Sequence, residues 1–211
     1  MPTYKHLLTG KRFLFIHIPR TAGRFLEENF KYNGFQDEYE IWNSIDGIEV
    51  AHFHRELYEK YLDVKGIPHI TIVRNPIDRF FSTSIFLKRI YGECQEEMED
   101  TMMFYSMLDN FPLSQGINWF RSQLDFISEE TNVWKFEDGF GIDFNNWMSQ
   151  ILGVEFQVKD VPYKELTTNE SNKLERSAKL IDNITSLYRK DIEQLYPKLA
   201  TPQQEGAEED S

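Results

Sequence analysis

The stretch Phe13-Leu-Phe-Ile-His-Ile18 is a nearly continuous apolar run stopped by Pro19. That is the pattern of a strand covered on both faces, as in a parallel sheet. A short loop, Pro19-Arg-Thr-Ala-Gly-Arg24, follows it, and Phe25, Leu26 and Phe30 then recur at helical spacing. The order strand, loop, helix returns twice more. Ile48, Val50 and His52 alternate as in a strand and precede a helix over 55–62, while His69-Ile-Thr-Ile-Val73 is β-branched and apolar. Asn75-Pro76 is a helix start, an N-cap followed by proline in the first turn, and Ile77, Phe80, Phe81 and Ile85 give that helix one apolar face.

Further along, Leu113, Ile117, Phe120, Leu124 and Ile127 recur at steps of four and three, which predicts an amphipathic helix. Asn132-Val-Trp-Lys-Phe136 is another strand candidate. Asp143 is placed to cap a helix with Phe144, Trp147, Met148, Ile151 and Leu152 on its buried face and Gly153 at its stop. Leu174, Ala178, Ile181, Ile184, Tyr188, Ile192 and Leu195 predict one long last helix ending near Pro197. Strands alternating with helices predict an α/β fold with a mostly parallel central sheet flanked by helices. Ligands in such sheets sit beyond the carboxyl ends of the strands, so the loops after 18, 52 and 73 are where chemistry is expected.

With 211 residues the chain fits one domain, expected over 1–200, and 40% hydrophobic residues are enough to build its core. Residues 201–211 hold no aliphatic side chain larger than alanine and are expected to be an acidic disordered tail. No apolar run approaches the roughly 20 residues of a membrane span, and the first residues lack a signal peptide's apolar segment. A lone Cys94 cannot form an internal disulfide, so a cytoplasmic, soluble protein is expected. The 35 acidic against 23 basic residues, net -12, disfavour non-specific nucleic-acid binding. An anionic ligand must then be held by a local basic cluster.

The loop Pro19-Arg-Thr-Ala-Gly-Arg24 is such a cluster. Ala22 and Gly23 allow close approach of a phosphate to the backbone, and Arg20, Thr21 and Arg24 carry donors. It is not a Walker A loop, because Gly10-Lys11 precedes the first predicted strand and lacks the earlier glycine. Gly139-Phe-Gly141 fails as a dinucleotide fingerprint because Phe144 stands where the third glycine belongs. ATP and NAD are disfavoured accordingly.

Phe15-Ile-His-Ile-Pro-Arg-Thr-Ala-Gly23 resembles the 5′-phosphosulfate loop of the sulfotransferases that use 3′-phosphoadenosine 5′-phosphosulfate (PAPS), usually written I-P-K-T-A/G-G-T-S/T. Val73-Arg-Asn-Pro-Ile-Asp-Arg-Phe-Phe-Ser82 resembles their 3′-phosphate site, R-N-P-x-x-R-x-x-S. Gln123-Leu-Asp-Phe-Ile127, Val133-Trp-Lys-Phe-Glu137 and Tyr188-Arg-Lys-Asp191 are similar to weaker landmarks in the same order. The resemblance spans about 13–197 and is nearest to the carbohydrate-type branch that includes heparan sulfate 2-O- and 6-O-sulfotransferases. It implies a P-loop NTPase-like three-layer domain that binds PAPS without a metal and moves a sulfuryl group to a hydroxyl of a carbohydrate or small metabolite. Arg20, Thr21, Ala22, Gly23, Arg24 and Phe25 would then hold the 5′ end, and Arg74 with Ser82 the 3′-phosphate.

The first loop departs from that pattern. Arg20 replaces the family's lysine and cannot donate a proton, so its role is fixed charge on the leaving oxygen. Arg24 and Phe25 replace two hydroxyl residues, which keeps open a catalytically silent PAPS-binding or regulatory protein, and less readily a small-molecule kinase. An alcohol acceptor needs a base near neutrality, histidine's usual task. His52-Phe-His54 resembles the His-x-His of heparan sulfate 2-O-sulfotransferases, which makes His52 the first choice for base and His54 the second. The competing reading of that pair is a metal site, disfavoured because no carboxylate or cysteine spacing completes it. His17 is expected as a hydrogen-bonded core histidine, and His6 and His69 near the surface. Residues 92–111 are expected to shape the acceptor pocket.

Overall fold

The computed structural model describes residues 3–39, 43–45, 48–91, 119–159 and 176–200. The acidic tail, the 92–111 segment and the 113–118 part of the predicted amphipathic helix lie outside the described residues. The apolar run forms strand β2 (Arg12–Ile16), preceded by β1 (Thr3–His6) and followed by helix α1 (Gly23–Tyr32) and β3 (Phe35–Asp37). A separate hairpin of β4 (Ser44–Ile45) and β5 (Ile48–Glu49) leads through a 3-10 turn, Val50–His52, to α2 (Arg55–Tyr61). Then come β6 (His69–Val73), α3 (Pro76–Tyr91), β7 (Thr131–Lys135), α4 (Ile142–Leu152), α5 (Ala178–Leu187), α6 (Arg189–Leu195) and α7 (Pro197–Ala200).

The main sheet has five strands in the order β3-β1-β2-β6-β7. The pairs β2·β6 and β6·β7 are parallel, as the buried apolar runs predict, but β1 pairs antiparallel with both β2 and β3. The sheet is therefore mixed, parallel in its core of β2, β6 and β7 as expected and antiparallel at the β1 and β3 edge. The cause is a tight turn at residues 7–11, where Gly10 takes φ 70 and its N-H donates to the His6 carbonyl at 2.9 Å, folding the chain back as a hairpin.

Alternation along the strands separates two cores. Phe13, Phe15, Ile70 and Ile72 pack with Leu26 and Phe30 of α1 and Phe144, Met148 and Leu152 of α4. Leu14, Ile16 and Val73 face the other way, onto Phe53, Tyr58, Leu62, Phe126 and Tyr196. The fold is thus α/β with helices on both faces of the sheet. Phe80, Phe81, Leu180, Ile184 and Tyr188 form a third cluster between α3 and α5.

Three expectations need correction. The strand expected at 48–52 does not join the main sheet, because Val50, Ala51 and His52 are all buried in a 3-10 turn and cannot alternate faces. The helix expected through 127 is, in its described part, a turn followed by a 3-10 segment, Gln123–Phe126, which buries Phe126 and Gln123 rather than Leu124 and Ile127. The long last helix is broken at Tyr188, whose hydroxyl donates to the Phe120 carbonyl at 2.7 Å. By contrast, Asn75 Oδ1 accepts from the Ile77 N-H at 2.9 Å as a cap, and Gly153 ends α4 in the left-handed region at φ 61.

Candidate functional site

The loops after β2 and β6 leave neighbouring parallel strands at the same end, which brings two distant stretches of sequence together. Arg20 Nε donates to Ser82 Oγ at 3.1 Å, and Arg74 Nη1 donates to the Arg20 carbonyl at 3.3 Å. The residues expected to hold opposite ends of one nucleotide are therefore adjacent.

The first loop is tightly wound. Arg20 and Ala22 both have left-handed backbone, φ 68 and φ 73, a conformation that costs an L-residue about 1–2 kcal/mol. Such strain persists only where surroundings over-determine it, and it clusters at ligand clamps. Ala22 is the N-cap of α1, so the first amides of the helix open onto this loop without a side-chain cap. The Thr21 hydroxyl does not serve as the ligand donor expected of it: it is buried and donates to the Ile18 carbonyl at 2.8 Å. Phe25 packs its ring on Phe140 at 5.5 Å, so its side chain is committed to packing. Gly23 is needed for a reason beyond phosphate approach, since a Cβ there would overlap the His17 ring.

The second loop is held from outside. Gln123 is fully buried and clamps the backbone of Arg74: Nε2 donates to its carbonyl at 2.8 Å, and Oε1 accepts from its N-H at 2.9 Å. Asp191 of α6, also fully buried, holds the Gln123 turn by accepting from the Gln123 N-H at 2.8 Å, the Leu124 N-H at 3.4 Å and the Ser122 hydroxyl. Arg79 is buried and donates to the Trp119 and Arg121 carbonyls at 3.2 and 2.6 Å, so this arginine anchors chain rather than ligand.

Arg74 itself is half-buried, with Cζ 4.6 Å from the centre of the Phe136 ring, and burial pushes its guanidinium below the usual value. No carboxylate pairs with it among the described residues. The nearby ones are engaged elsewhere: Glu137 accepts from the Asn75 N-H at 2.6 Å and the Tyr196 hydroxyl at 2.9 Å, and Asp78 pairs with Arg176 at 2.9 Å.

The two histidines of His52-Phe-His54 are both buried, yet on a turned rather than extended chain they have different surroundings. His52 lies against His17 and Trp119, ring centres 4.8 and 5.1 Å away, and its Nδ1 is 3.2 Å from the His17 carbonyl. A carbonyl only accepts, so Nδ1 carries the hydrogen and Nε2 the lone pair. Burial first, and then His17, hold the His52 pKa well below the ordinary histidine value. His54 lines a cavity of about 240 Å³ with Arg55, Glu56, Arg121, Leu124 and Asp125, its pKa lowered by burial and then by Arg121. The extended-chain geometry of a metal pair is not met, and among the described residues no cluster of three or more His, Cys, Asp or Glu could hold an ion.

His17 is buried as expected, but just past β2, with its Nδ1 3.2 Å from Glu27 Oε1 on α1. His69 is buried rather than near the surface, and its Nε2 donates to the Val64 carbonyl at 3.0 Å. Sequence reasoning assigned no role to Glu27, Gln123 or Asp191 individually. A polar residue inside a buried apolar pattern was the available signal for Glu27, between Leu26 and Phe30. Among the described residues no helix is long and apolar enough to cross a membrane.

No family model, curated protein or solved structure matches the chain. Its function is therefore argued from its own residues.

Proposed function

We propose that this protein is a PAPS-dependent O-sulfotransferase built on a P-loop-like α/β fold, acting on a hydroxyl of a carbohydrate or small metabolite. The observation that carries the reading is the convergence of two anion-suited loops on a half-buried Arg74 guanidinium, while the carboxylates that act on it, Asp78 and Glu137, are bonded to other partners. In a chain of net charge -12, a desolvated cation with no carboxylate in ion-pair contact among the described residues fits an anionic ligand. Arg74 and Ser82 would hold the 3′-phosphate. Arg20 and Arg24, with the backbone of Thr21, Ala22, Gly23 and Phe25 at the start of α1, would hold the 5′ end.

Bound PAPS supplies a sulfuryl group on a phosphate leaving group; the acceptor's oxygen forms the new bond to sulfur as the bond to the phosphate oxygen breaks. His52 accepts the acceptor's proton at Nε2, its Nδ1-H remaining on the His17 carbonyl. A depressed pKa keeps it unprotonated at neutral pH, at the cost of weaker basicity. His54 is the alternative base, reached through its own cavity. Arg20 contributes fixed positive charge as negative charge grows on the leaving oxygen.

One observation favours a second reading, a silent bisphosphate-binding protein: the Thr21 hydroxyl and the Phe25 ring are committed to packing, and the family's hydroxyl donors are missing. Transfer of labelled sulfuryl groups from PAPS across a panel of hydroxyl acceptors separates the two. Transfer that Arg20→Ala lowers far more than it lowers nucleotide affinity supports the enzyme. Tight adenosine 3′,5′-bisphosphate binding without transfer supports the silent protein, and competition by ATP alone would point to a kinase.

A further inference from the structure

Between Arg20 and His52, the groups given the leaving-oxygen and base roles, runs a short aromatic wall. The Arg20 guanidinium carbon lies 4.7 Å from the centre of the Phe86 ring, Phe86 meets Trp119 at 4.7 Å, and Trp119 meets His52 at 5.1 Å. Phe86 and Trp119 are both half-buried, packed on the cluster between α3 and α5 with part of each residue open. The backbone that carries Trp119 is fixed. Arg79, 1% exposed, donates to its carbonyl at 3.2 Å and to the Arg121 carbonyl at 2.6 Å, and the Tyr188 hydroxyl donates to the Phe120 carbonyl between them at 2.7 Å. Arg79 and Phe86 both stand on α3, so one helix supplies an anchor for the wall and one of its two rings.

The indole N-H is a second observation. Buried in a protein, such a group normally finds an acceptor, as Trp134 Nε1 does at the Gly139 carbonyl, 2.9 Å away. Trp119 Nε1 donates to nothing among the described residues, yet it is not sealed from solvent. The wall therefore offers a flat apolar face and one open donor.

We propose that Phe86 and Trp119 seat the acceptor and that Trp119 determines its class: an alcohol borne on a six-membered ring, the ring's flat face on the indole and an oxygen substituent accepting from Nε1. The inference rests on Arg20 and His52 having the roles given above, because the acceptor oxygen then sits between them, alongside the wall. An aromatic face is flat and electron-rich, so it favours a flat partner that presents C-H groups or a second π system. A ring is also rigid already, whereas a flexible chain of the same size gives up rotamer freedom to cover the same area. A sugar ring and an aromatic ring both supply this chemistry.

Trp119→Ala should weaken ring alcohols about tenfold or more while changing the affinity for adenosine 3′,5′-bisphosphate by less than about twofold. Trp119→Phe keeps a flat face without the donor and should fall between. In turnover the loss should appear mainly as a raised acceptor KM, since the wall holds the acceptor before and during transfer alike.

The experiment is an NMR titration of the full chain carrying ¹⁵N-labelled tryptophan. The four tryptophans give four indole signals, and that of Trp119 is the one lost in Trp119→Phe. The probes are a panel of phenols, a panel of methyl glycosides and, as the acyclic control, sorbitol. The expected result is a saturable shift of the Trp119 signal by a ring alcohol that binds about tenfold or more tightly than sorbitol, and the panel that produces it identifies an aromatic or a sugar ring. No shift from any ring alcohol, or an equal response to sorbitol, overturns the proposal. So does a ring-alcohol affinity, read from the probe's own saturation-transfer signal, that survives Trp119→Ala. If Trp119→Ala does not fold, the unmodified chain and Trp119→Phe decide. No sulfuryl group moves in these measurements, so a chain that seats ring alcohols on Trp119 but transfers nothing fails the enzyme reading alone.

Discussion

The loop after β2 and the loop after β6 lie side by side at one end of the sheet, but the first is held from within and the second from outside. In the first, Thr21 turns its hydroxyl back to Ile18, two residues accept left-handed backbone, and His17 packs underneath. Its Thr21 hydroxyl and Phe25 ring are consumed in fixing its shape, and what it would offer a ligand is the backbone amides at the start of α1 beside the Arg20 and Arg24 side chains. In the second, the backbone of Arg74 is gripped by Gln123, itself gripped by Asp191, and what remains to offer is a side chain. A phosphate at each end of one ligand would meet two different kinds of donor. Damage to the two loops should differ accordingly.

The largest expected effect is at the external brace. Asp191→Ala leaves the Ser122 hydroxyl and two backbone N-H groups without their acceptor, and should destabilise the protein by about 3 kcal/mol or more, read as a lower urea midpoint at constant slope. A loss below about 1 kcal/mol would show that the second loop does not depend on α6. Next is the internal support. Gly23→Ala forces a methyl into the His17 ring and should cost about 1–3 kcal/mol, with His17→Ala in the same background restoring part of it. No recovery in the double variant would mean that His17 is not the obstacle.

Arg74→Ala should cost about 1 kcal/mol of stability, since its guanidinium donates to the Arg20 carbonyl and lies over the Phe136 ring. It should remove at least about 1 kcal/mol of the preference for adenosine 3′,5′-bisphosphate over AMP, roughly fivefold by calorimetry. Equal preference before and after the substitution would take Arg74 out of the site and leave the second loop with nothing to offer.

The smallest effect is the pH dependence. His52 and His54 both have pKa values lowered in the folded protein, chiefly by burial, against about 6.5 when unfolded. Below that value the unfolded chain binds more protons, so stability is lost as pH falls from about 7 toward 5. Thermal midpoints followed over that range should flatten when both histidines are replaced by Gln, and a slope that survives the double replacement would place the linkage elsewhere.

How much of this was legible in the sequence varies by element, for physical reasons. The apolar runs at 13–18 and 69–73 and the Asn75-Pro76 start are local signals, and β2, β6 and α3 follow them. The meeting of Arg20 with Ser82 was legible only as two motifs sharing one expected ligand. Strands β1 and β3 were missed because four and three residues carry too little alternation, and the turn at Gly10 was the only clue. The helix expected through 127, which in its described part is a turn and a 3-10 segment, shows the opposite failure. Apolar spacing of four and three also arises where an irregular segment is pinned by Asp191, Arg79 and Tyr188, none of which is near it in sequence. Gln123 and Asp191 lie inside the landmarks of the resemblance, but the clamp of Gln123 on Arg74 and the hold of Asp191 on Gln123 exist only in three dimensions.

The brace on the second loop also sets an order of assembly. Arg74 is made early in synthesis, yet the clamp on it comes from Gln123, 49 residues later, and the acceptor holding Gln123 lies another 68 residues on. Glu137, which receives the Asn75 N-H, is in turn tied to Tyr196, 59 residues beyond it. The parallel core of β2, β6 and β7 has all its strands by residue 135, long before α6 emerges from the ribosome. Contacts this distant close loops whose entropy must be lost before they return anything, and they form late in folding. A nascent chain stalled after α4 would have the helix that covers one face of its sheet while the Arg74 loop stayed unbraced, so the bisphosphate selection proposed for that loop would be among the last properties to form.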